Sequence, residues 1–320
     1  MDMSSRPKLG VSACLLGHEV RYDGGHKRSR YVEGSLGAHV DWVIVCPERE
    51  SGLGVPREPI SIIRETKDGA SRLIGQRSGR DYTPLLEGWA RRRLELLDEE
   101  RLDGFVFRRK SPSCGLRKVA AYRDPSRRDP IHDGSGIFAS MLEKRFGSLP
   151  LTEDGWLCDS GLRESFLDRV FTHWRFGSEV LHEPSVKALR AFHKRHKLLY
   201  MAHSPLAYRK LGRLVAGARE STLEALLPVY LHEAMVALDV RTSTGKHANV
   251  LQHIMGYFKR VIDAREKKEL LAAIDDYRAG LHDIAVPLAL LSHHLMKHPE
   301  SRWLVDQVYF CPHPRQLSGR

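Results

Sequence analysis

Three short apolar runs, each followed by a cysteine, constrain the fold of the first 120 or so residues more than any other feature. The runs are KLGVS before Cys14, WVIV before Cys46 and GFVF before Cys114. Each leads into Gly, Pro or Ser, which is typical of a buried strand that enters a loop. A helical apolar pattern over residues 84–97 separates the second and third runs. Strands alternating with helices predict an α/β domain with a largely parallel sheet.

The apolar spacing changes in the second half of the chain. A further helix is predicted over residues 136–146, and from about residue 162 one helical pattern follows another. A length of 320 residues suits two domains. We therefore expect an α/β domain over residues 1–155 and an all-α helical domain over residues 156–320. The stretch 148–161 is predicted to be a connector.

Composition excludes several classes of protein. The sequence has no run of 18 apolar residues that would span a membrane, and its start lacks the pattern of a secretion signal. We expect a cytoplasmic protein without membrane contact. Five cysteines in such a setting are reduced thiols, available for metal or simply buried.

The three cysteines are the first candidate site. Because the carboxyl ends of parallel strands meet at one edge of a sheet, we expect Cys14, Cys46 and Cys114 at the same rim. Soft thiolates select zinc, copper(I) or iron–sulfur clusters, and three of them leave one metal position open. The alternative is that they are small buried apolar side chains, since no CxxC pair is present. Glycine and serine next to the cysteines favour a bound group.

The segments around these cysteines resemble the signature segments of the thiouracil desulfidase (TudS-like) family. They are CLLGHEVRYDGGHKR, VCPERESGLGVPREPI and KSPSCG. The helical half resembles the uncharacterised YbgA-type domain in AFHKRHKLLYMAHSPLAYRKLGRLVA, KHANVLQHIMGYFK, YRAGL, VPLALLSHHL and QVYFCPHP. Together the two resemblances extend from about residue 8 to residue 315.

The first resemblance implies a cofactor and a reaction. It implies a 4Fe–4S cluster bound by Cys14, Cys46 and Cys114, whose fourth iron takes the sulfur of a thiocarbonyl substrate such as 2-thiouracil. The implied enzyme is a non-redox desulfidase that releases hydrosulfide and the oxygen analogue. Simple family members lack the helical domain, so the substrate of this chain could differ from theirs. The candidates are a thiolated heterocyclic base, a nucleoside and a related thioamide.

The reaction needs a base that activates water for attack on carbon. Glu48, two residues past Cys46, is the candidate, and the alternative is a salt bridge to Arg57 or Arg49. Ser111 and Ser113 are candidates to donate to the substrate or to a cluster sulfide. For Ser113 the alternative is a turn hydroxyl that bonds its own backbone.

Three further side chains are predicted to bind the substrate, namely Arg21, Tyr22 and Arg57. Two cysteines, Cys158 and Cys311, have no partner in a motif. Cys311, in FCPHP, is weighed as an additional ligand from the second domain.

The net charge of +11 invites a second hypothesis. A basic stretch in the helical half fits phosphate contacts with base stacking, although a solvated helix face fits as well. This stretch comprises Lys194, Arg195, Lys197, Arg209, Lys210 and Arg213, interleaved with Tyr200 and Tyr208. The alternatives to a desulfidase are a nucleic-acid-binding or repair-associated protein with a structural cluster or zinc, and a cluster-based sulfur donor.

Overall fold

A computed structural model describes residues 6–64, 69–124, 126, 128–258, 261–298 and 302–317. The chain divides into two compact units, residues 1–163 and 164–320. The domain limits drawn from the sequence stay a prediction. Lys259, the last residue of one of the quoted YbgA-type segments, lies outside the described residues.

The described residues of the first unit form two four-stranded sheets. The strands are β1 (Lys8–Ser12), β2 (Asp41–Val45), β3 (Ile60–Ile63), β4 (Arg72–Gly75), β5 (Gly104–Phe107), β6 (Val119–Tyr122), β7 (Ile131–Gly134) and β8 (Leu151–Glu153). One sheet has the order β2-β1-β5-β8 and is parallel throughout. This sheet contains the three predicted strands and confirms an α/β fold.

The parallel sheet is stabilised by apolar burial against helices. The helices of this unit are α1 (Pro47–Glu50), α2 (Thr83–Glu99) and α3 (Ile137–Arg145). Residues of α2 and α3 form one buried cluster with β5, in which the Phe138 ring lies 6.0 Å from that of Phe105. Apolar burial of this kind stabilises the parallel sheet against its helices. The loops that follow the strands therefore begin at fixed positions.

Two features of this unit differ from the sequence-based expectation. The second sheet, of order β4-β3-β6-β7, pairs β3 with β6 in parallel but has antiparallel outer pairs. The predicted connector over 148–161 contains β8, whose three residues are all buried. Strands of three or four residues carry too little periodicity to be found from sequence.

The second unit is helical, as predicted. Its helices are α4 (Ser160–Phe176, whose first turn lies before residue 164), α5 (Val186–His203), α6 (Pro205–Ala216), α7 (Leu223–Asp239), α8 (Thr244–Phe258), α9 (Ala264–Arg278), α10 (Ala285–Lys297) and α11 (Arg302–Val305). Serine caps begin two of them, because Ser185 Oγ accepts from Ala188 N–H and Ser204 Oγ accepts from Ala207 N–H. No helix within the described residues is both long and apolar enough to cross a membrane.

Candidate functional site

Each of the three cysteines lies beyond the carboxyl end of a strand in the parallel sheet. Cys14 follows β1 in a short helical turn that ends at Gly17, whose φ of 84° favours glycine. Cys46 follows β2 directly and precedes α1. Cys114 lies in the loop after β5. All three are free thiols.

One cavity of about 450 Å³ is lined by all three cysteines. The six other candidate side chains line the same cavity, namely Glu48, Ser111, Ser113, Arg21, Tyr22 and Arg57. The structure therefore brings the whole predicted set together, although the role assigned to each residue stays a prediction. Cys158 is an exposed thiol in the same unit, and Cys311 lines a separate cavity in the helical unit.

The carboxylate of Glu48 is held by Arg57. The Arg57 Nε atom donates to Glu48 Oε2 at 3.0 Å, and Nη2 donates to the same oxygen. The third guanidinium nitrogen, Nη1, donates to the carbonyl oxygens of Val20 at 3.0 Å and Gly54 at 2.8 Å. The ion pair that the sequence offered as an alternative is thus present. A guanidinium anchored on both sides keeps the carboxylate in one orientation.

The Ser113 hydroxyl bonds the carboxylate of Glu48, a partner that the sequence did not suggest. Ser113 Oγ donates to Glu48 Oε1 at 2.6 Å and lies 3.0 Å from Ser111 Oγ. Ser111 Oγ instead accepts from the Cys114 N–H group at 3.2 Å, so Ser111 supplies the turn hydroxyl. Ser113, which is 1% exposed, links the Cys114 loop to Glu48.

Burial disfavours the thiolate form of all three cysteines. It raises the pKa of Cys14 to about 11, with neighbouring Cys46 adding to the rise. Burial also raises the pKa of Cys46 and, well above its ordinary value, that of Cys114. Binding of a metal group must therefore release protons from these thiols.

The donor set fits an iron–sulfur cluster. Within the described ranges, no three His, Cys, Asp or Glu side chains are close enough to share one metal ion. A 4Fe–4S cluster makes no such demand, because each thiolate ligates a different iron atom. Three soft thiols that line one cavity are the ligand type such a cluster requires.

One partner of an ion pair that the sequence did not point to, Arg108, belongs to the same cavity wall. Arg108 lines the cavity, and its Nη1 atom donates to Asp154 Oδ2 at 2.5 Å. The charge of Arg108 lowers the pKa of Cys14 and so opposes part of the effect of burial. Asp154 directly follows β8. Its position at a strand end would have marked it as a candidate site residue if β8 had been predicted from the sequence.

One residue of the basic stretch in the helical unit, Tyr200, differs from its sequence-based interpretation. Tyr200 is fully buried and its hydroxyl accepts from Tyr230 at 3.5 Å, so its ring is not available to stack on a base. The prediction for Tyr200 is wrong because its side chain packs in the core of the helical unit. Lys210 pairs with Glu233 at 2.7 Å.

Comparison with known proteins decides the family. The model of the 2-thiouracil desulfurase family matches residues 9–154, and that of a protein family of unknown function, DUF1722, matches residues 197–314. The uncharacterized protein YbgA of Escherichia coli (strain K12) is 35% identical over 158 residues, which cover 49% of this chain and 93% of that protein. The chain belongs to both families.

Two further proteins are similar to parts of this chain. The uncharacterized protein YbbK of Bacillus subtilis (strain 168) is 33% identical over 138 residues, or 42% of this chain and 88% of that protein. A solved [4Fe-4S]-dependent thiouracil desulfidase, TudS, is 28% identical and covers 48% of this chain and 95% of its own, with a TM-score of 0.39. The resemblance to a desulfidase domain fused to a YbgA-type domain is confirmed. The nine site residues all fall within the 2-thiouracil desulfurase domain.

Proposed function

We propose that this chain is a desulfidase that removes sulfur, as hydrosulfide, from a thiocarbonyl heterocycle such as a 2-thiouracil-like base or nucleoside. In this proposal Cys14, Cys46 and Cys114 hold a 4Fe–4S cluster with one iron left open. The observation that carries the proposal is that these thiols share one cavity with an anchored carboxylate, Glu48. Membership of the 2-thiouracil desulfurase family supports the same reaction class.

The side chains of this cavity supply the acid–base chemistry. Water adds its oxygen to the thiocarbonyl carbon, the C–S bond breaks, and the products are a carbonyl compound, hydrosulfide and a proton. In this proposal Glu48, which Arg57 holds in place, accepts the proton of the attacking water. Ser113 keeps Glu48 Oε1 directed at the cavity through its 2.6 Å hydrogen bond.

The bound cluster supplies a Lewis-acidic iron that polarises the C=S bond. Arg21 and Tyr22 lie on the cavity wall with the guanidinium carbon 5.3 Å from the ring centroid, a cation–π pair that gives a planar heterocycle a flat surface. Tyr22 is 40% exposed, so this surface is open to an incoming ligand.

The proposal is tested on protein purified without oxygen. We expect a brown chain with about four iron and four acid-labile sulfide atoms, and release of hydrosulfide from 2-thiouracil. Cys46→Ser is expected to abolish the activity and to lower the iron content. Cys158→Ser, which changes an exposed thiol outside the cavity, is the matched control and leaves both unchanged. A colourless wild-type chain after anaerobic reconstitution contradicts the proposal.

A further inference from the structure

The carboxyl end of β8 carries a buried acid, Glu153, that reaches the loop after Cys114. Glu153 Oε1 accepts from the backbone N–H of Leu116 at 2.7 Å and of Arg117 at 3.3 Å. The residue is 4% exposed, and Leu116 is 2% exposed. A buried N–H group without an acceptor costs free energy, so this carboxylate holds the chain where it leaves the Cys114 loop.

The next residue, Asp154, holds the chain where it enters the same loop. Asp154 Oδ1 accepts from the Arg109 N–H group at 2.9 Å, while Oδ2 accepts from the Arg108 side chain at 2.5 Å. The Asp154 N–H group donates to Phe107 O at 3.0 Å, which ties the acid to the last residue of β5. Hydrogen bonds to ionised acceptors are stronger than neutral ones.

The middle of the loop rests on the first turn of α3. Gly136 N–H donates to Gly115 O at 2.7 Å, and Phe138 N–H donates to Ser113 O at 3.0 Å. The loop is therefore held by backbone groups in its centre and by two adjacent carboxylates at its two ends. Of these contacts at the centre and ends of the loop, those of the two carboxylates depend on the identity of a side chain, as do the hydroxyl contacts that Ser111 and Ser113 make within the loop and to Glu48.

We propose that Glu153 and Asp154 are positioning residues that hold the Cys114 loop in the conformation in which the Cys114 thiol and the Ser113 hydroxyl face the cavity. Neither acid lines the cavity, so both act through the loop. The catalytic consequence rests on the proposed function. The positioning itself is a property of the chain and is measurable without a cluster.

The test measures how fast iodoacetamide alkylates Cys114 in the iron-free full-length chain. Peptide mass spectrometry quantifies the alkylated fraction of each cysteine. Cys14, in the same cavity, is the internal reference. Because a buried thiol reacts through local opening, Glu153→Ala is expected to raise the ratio of Cys114 to Cys14 alkylation about tenfold. Asp154→Ala also releases Arg108, whose charge acts on Cys14, so for this variant a similar rise is expected in the rate of Cys114 alkylation itself. Glu153→Gln retains an acceptor oxygen and is expected to stay within about twofold of wild type.

Asp103→Ala is the matched control. Asp103 is also buried and accepts a backbone hydrogen bond, from Lys8 N–H at 3.0 Å, but it lies at the amino ends of β1 and β5. If the substitutions loosen the whole unit, the alkylation ratio rises in Asp103→Ala as much as in the other variants. If Glu153 and Asp154 specifically hold the Cys114 loop, the ratio in Asp103→Ala stays at the wild-type value. An unchanged alkylation ratio in Glu153→Ala, or the same rise in Asp103→Ala, overturns the proposal.

A second measurement uses the cluster-loaded chain with 2-thiouracil. Glu153→Ala is expected to lower kcat about tenfold with little change in KM, because Ser113 and Glu48 are displaced from each other while the substrate-binding wall stays in place. Equal changes in kcat and KM contradict the positioning role. A wild-type chain without desulfidase activity refutes the proposed function instead, and the alkylation ratio still decides the role of the two acids.

Discussion

The Ser113 hydroxyl donates a hydrogen bond to Glu48 Oε1 at 2.6 Å, although the two residues lie 65 positions apart in the chain. The other oxygen of the same carboxylate is held by Arg57. The two oxygens of Glu48 are thus engaged by residues of two different loops. In the proposed reaction, a base preorganised in this way needs no rearrangement before it accepts a proton.

Removal of the Ser113 hydroxyl is expected to slow the reaction without removing the cofactor. In Ser113→Ala, Glu48 loses one of its two fixed partners, and we expect kcat for hydrosulfide release to fall about ten- to a hundredfold. Iron content stays at the wild-type value, because Cys114 is retained. Ser140→Ala, an exposed serine on α3, is the control. An undiminished kcat in Ser113→Ala refutes the role of this hydroxyl.

Arg57 is expected to matter for stability as well as for activity. The side chains of Arg57 and Glu48 are 6% and 13% exposed, so Arg57→Met leaves a buried carboxylate unpaired at a cost of about 3 kcal/mol. Adding Glu48→Gln removes that charge and is expected to recover part of the loss. Urea denaturation of the full-length chain measures both. Arg91→Met, which breaks an exposed pair with Glu87, is expected to cost less than about 0.5 kcal/mol. Additive losses in the double variant contradict this account.

The cysteines could be predicted from the sequence because each follows an apolar run, and parallel strands bring such positions to one edge. Glu48 could be predicted as well, because it lies two residues beyond Cys46. Glu153 and Asp154 could not be predicted, because β8 is only three residues long and has no recognisable sequence pattern. Its position beside β5 follows from the order of strands in the sheet, which the sequence does not reveal locally. The contacts of Arg57 also required the fold, as it reaches Val20 across 37 positions.

The pH dependence of stability is expected to reflect His193 in the helical unit. Burial lowers the pKa of His193 to about 4, with Lys197 contributing to the decrease. The folded state thus binds the proton less readily than the unfolded state, so stability is full above about pH 6.5 and falls as the pH is lowered towards 4. The loss from this residue amounts to about 3 kcal/mol at pH 4.

His193→Gln removes the titrating group but retains a side chain able to bond Tyr230, whose hydroxyl lies 3.1 Å from His193 Nδ1. Urea midpoints at pH 7 and pH 4 are expected to differ less in this variant than in the wild-type chain. His182, which is exposed, provides the matched control substitution, His182→Gln. Equal pH dependence in His193→Gln and wild type shows that other groups govern acid unfolding.

Gly136 is expected to be intolerant of any side chain because the Cys114 loop lies against it. A Cβ atom at this position would lie 2.5 Å from the Ser113 carbonyl carbon and 2.7 Å from the Cys114 backbone nitrogen. Gly136→Ala must therefore displace the loop, and we expect loss of most of the bound iron together with a lower urea midpoint. Gly88→Ala is the matched control, since a Cβ there meets nothing within 4 Å and the residue lies inside α2. That variant is expected to gain about 0.5–1 kcal/mol from helix propensity and to keep its iron. Full iron content in Gly136→Ala would mean that the cofactor does not depend on the position of the Cys114 loop.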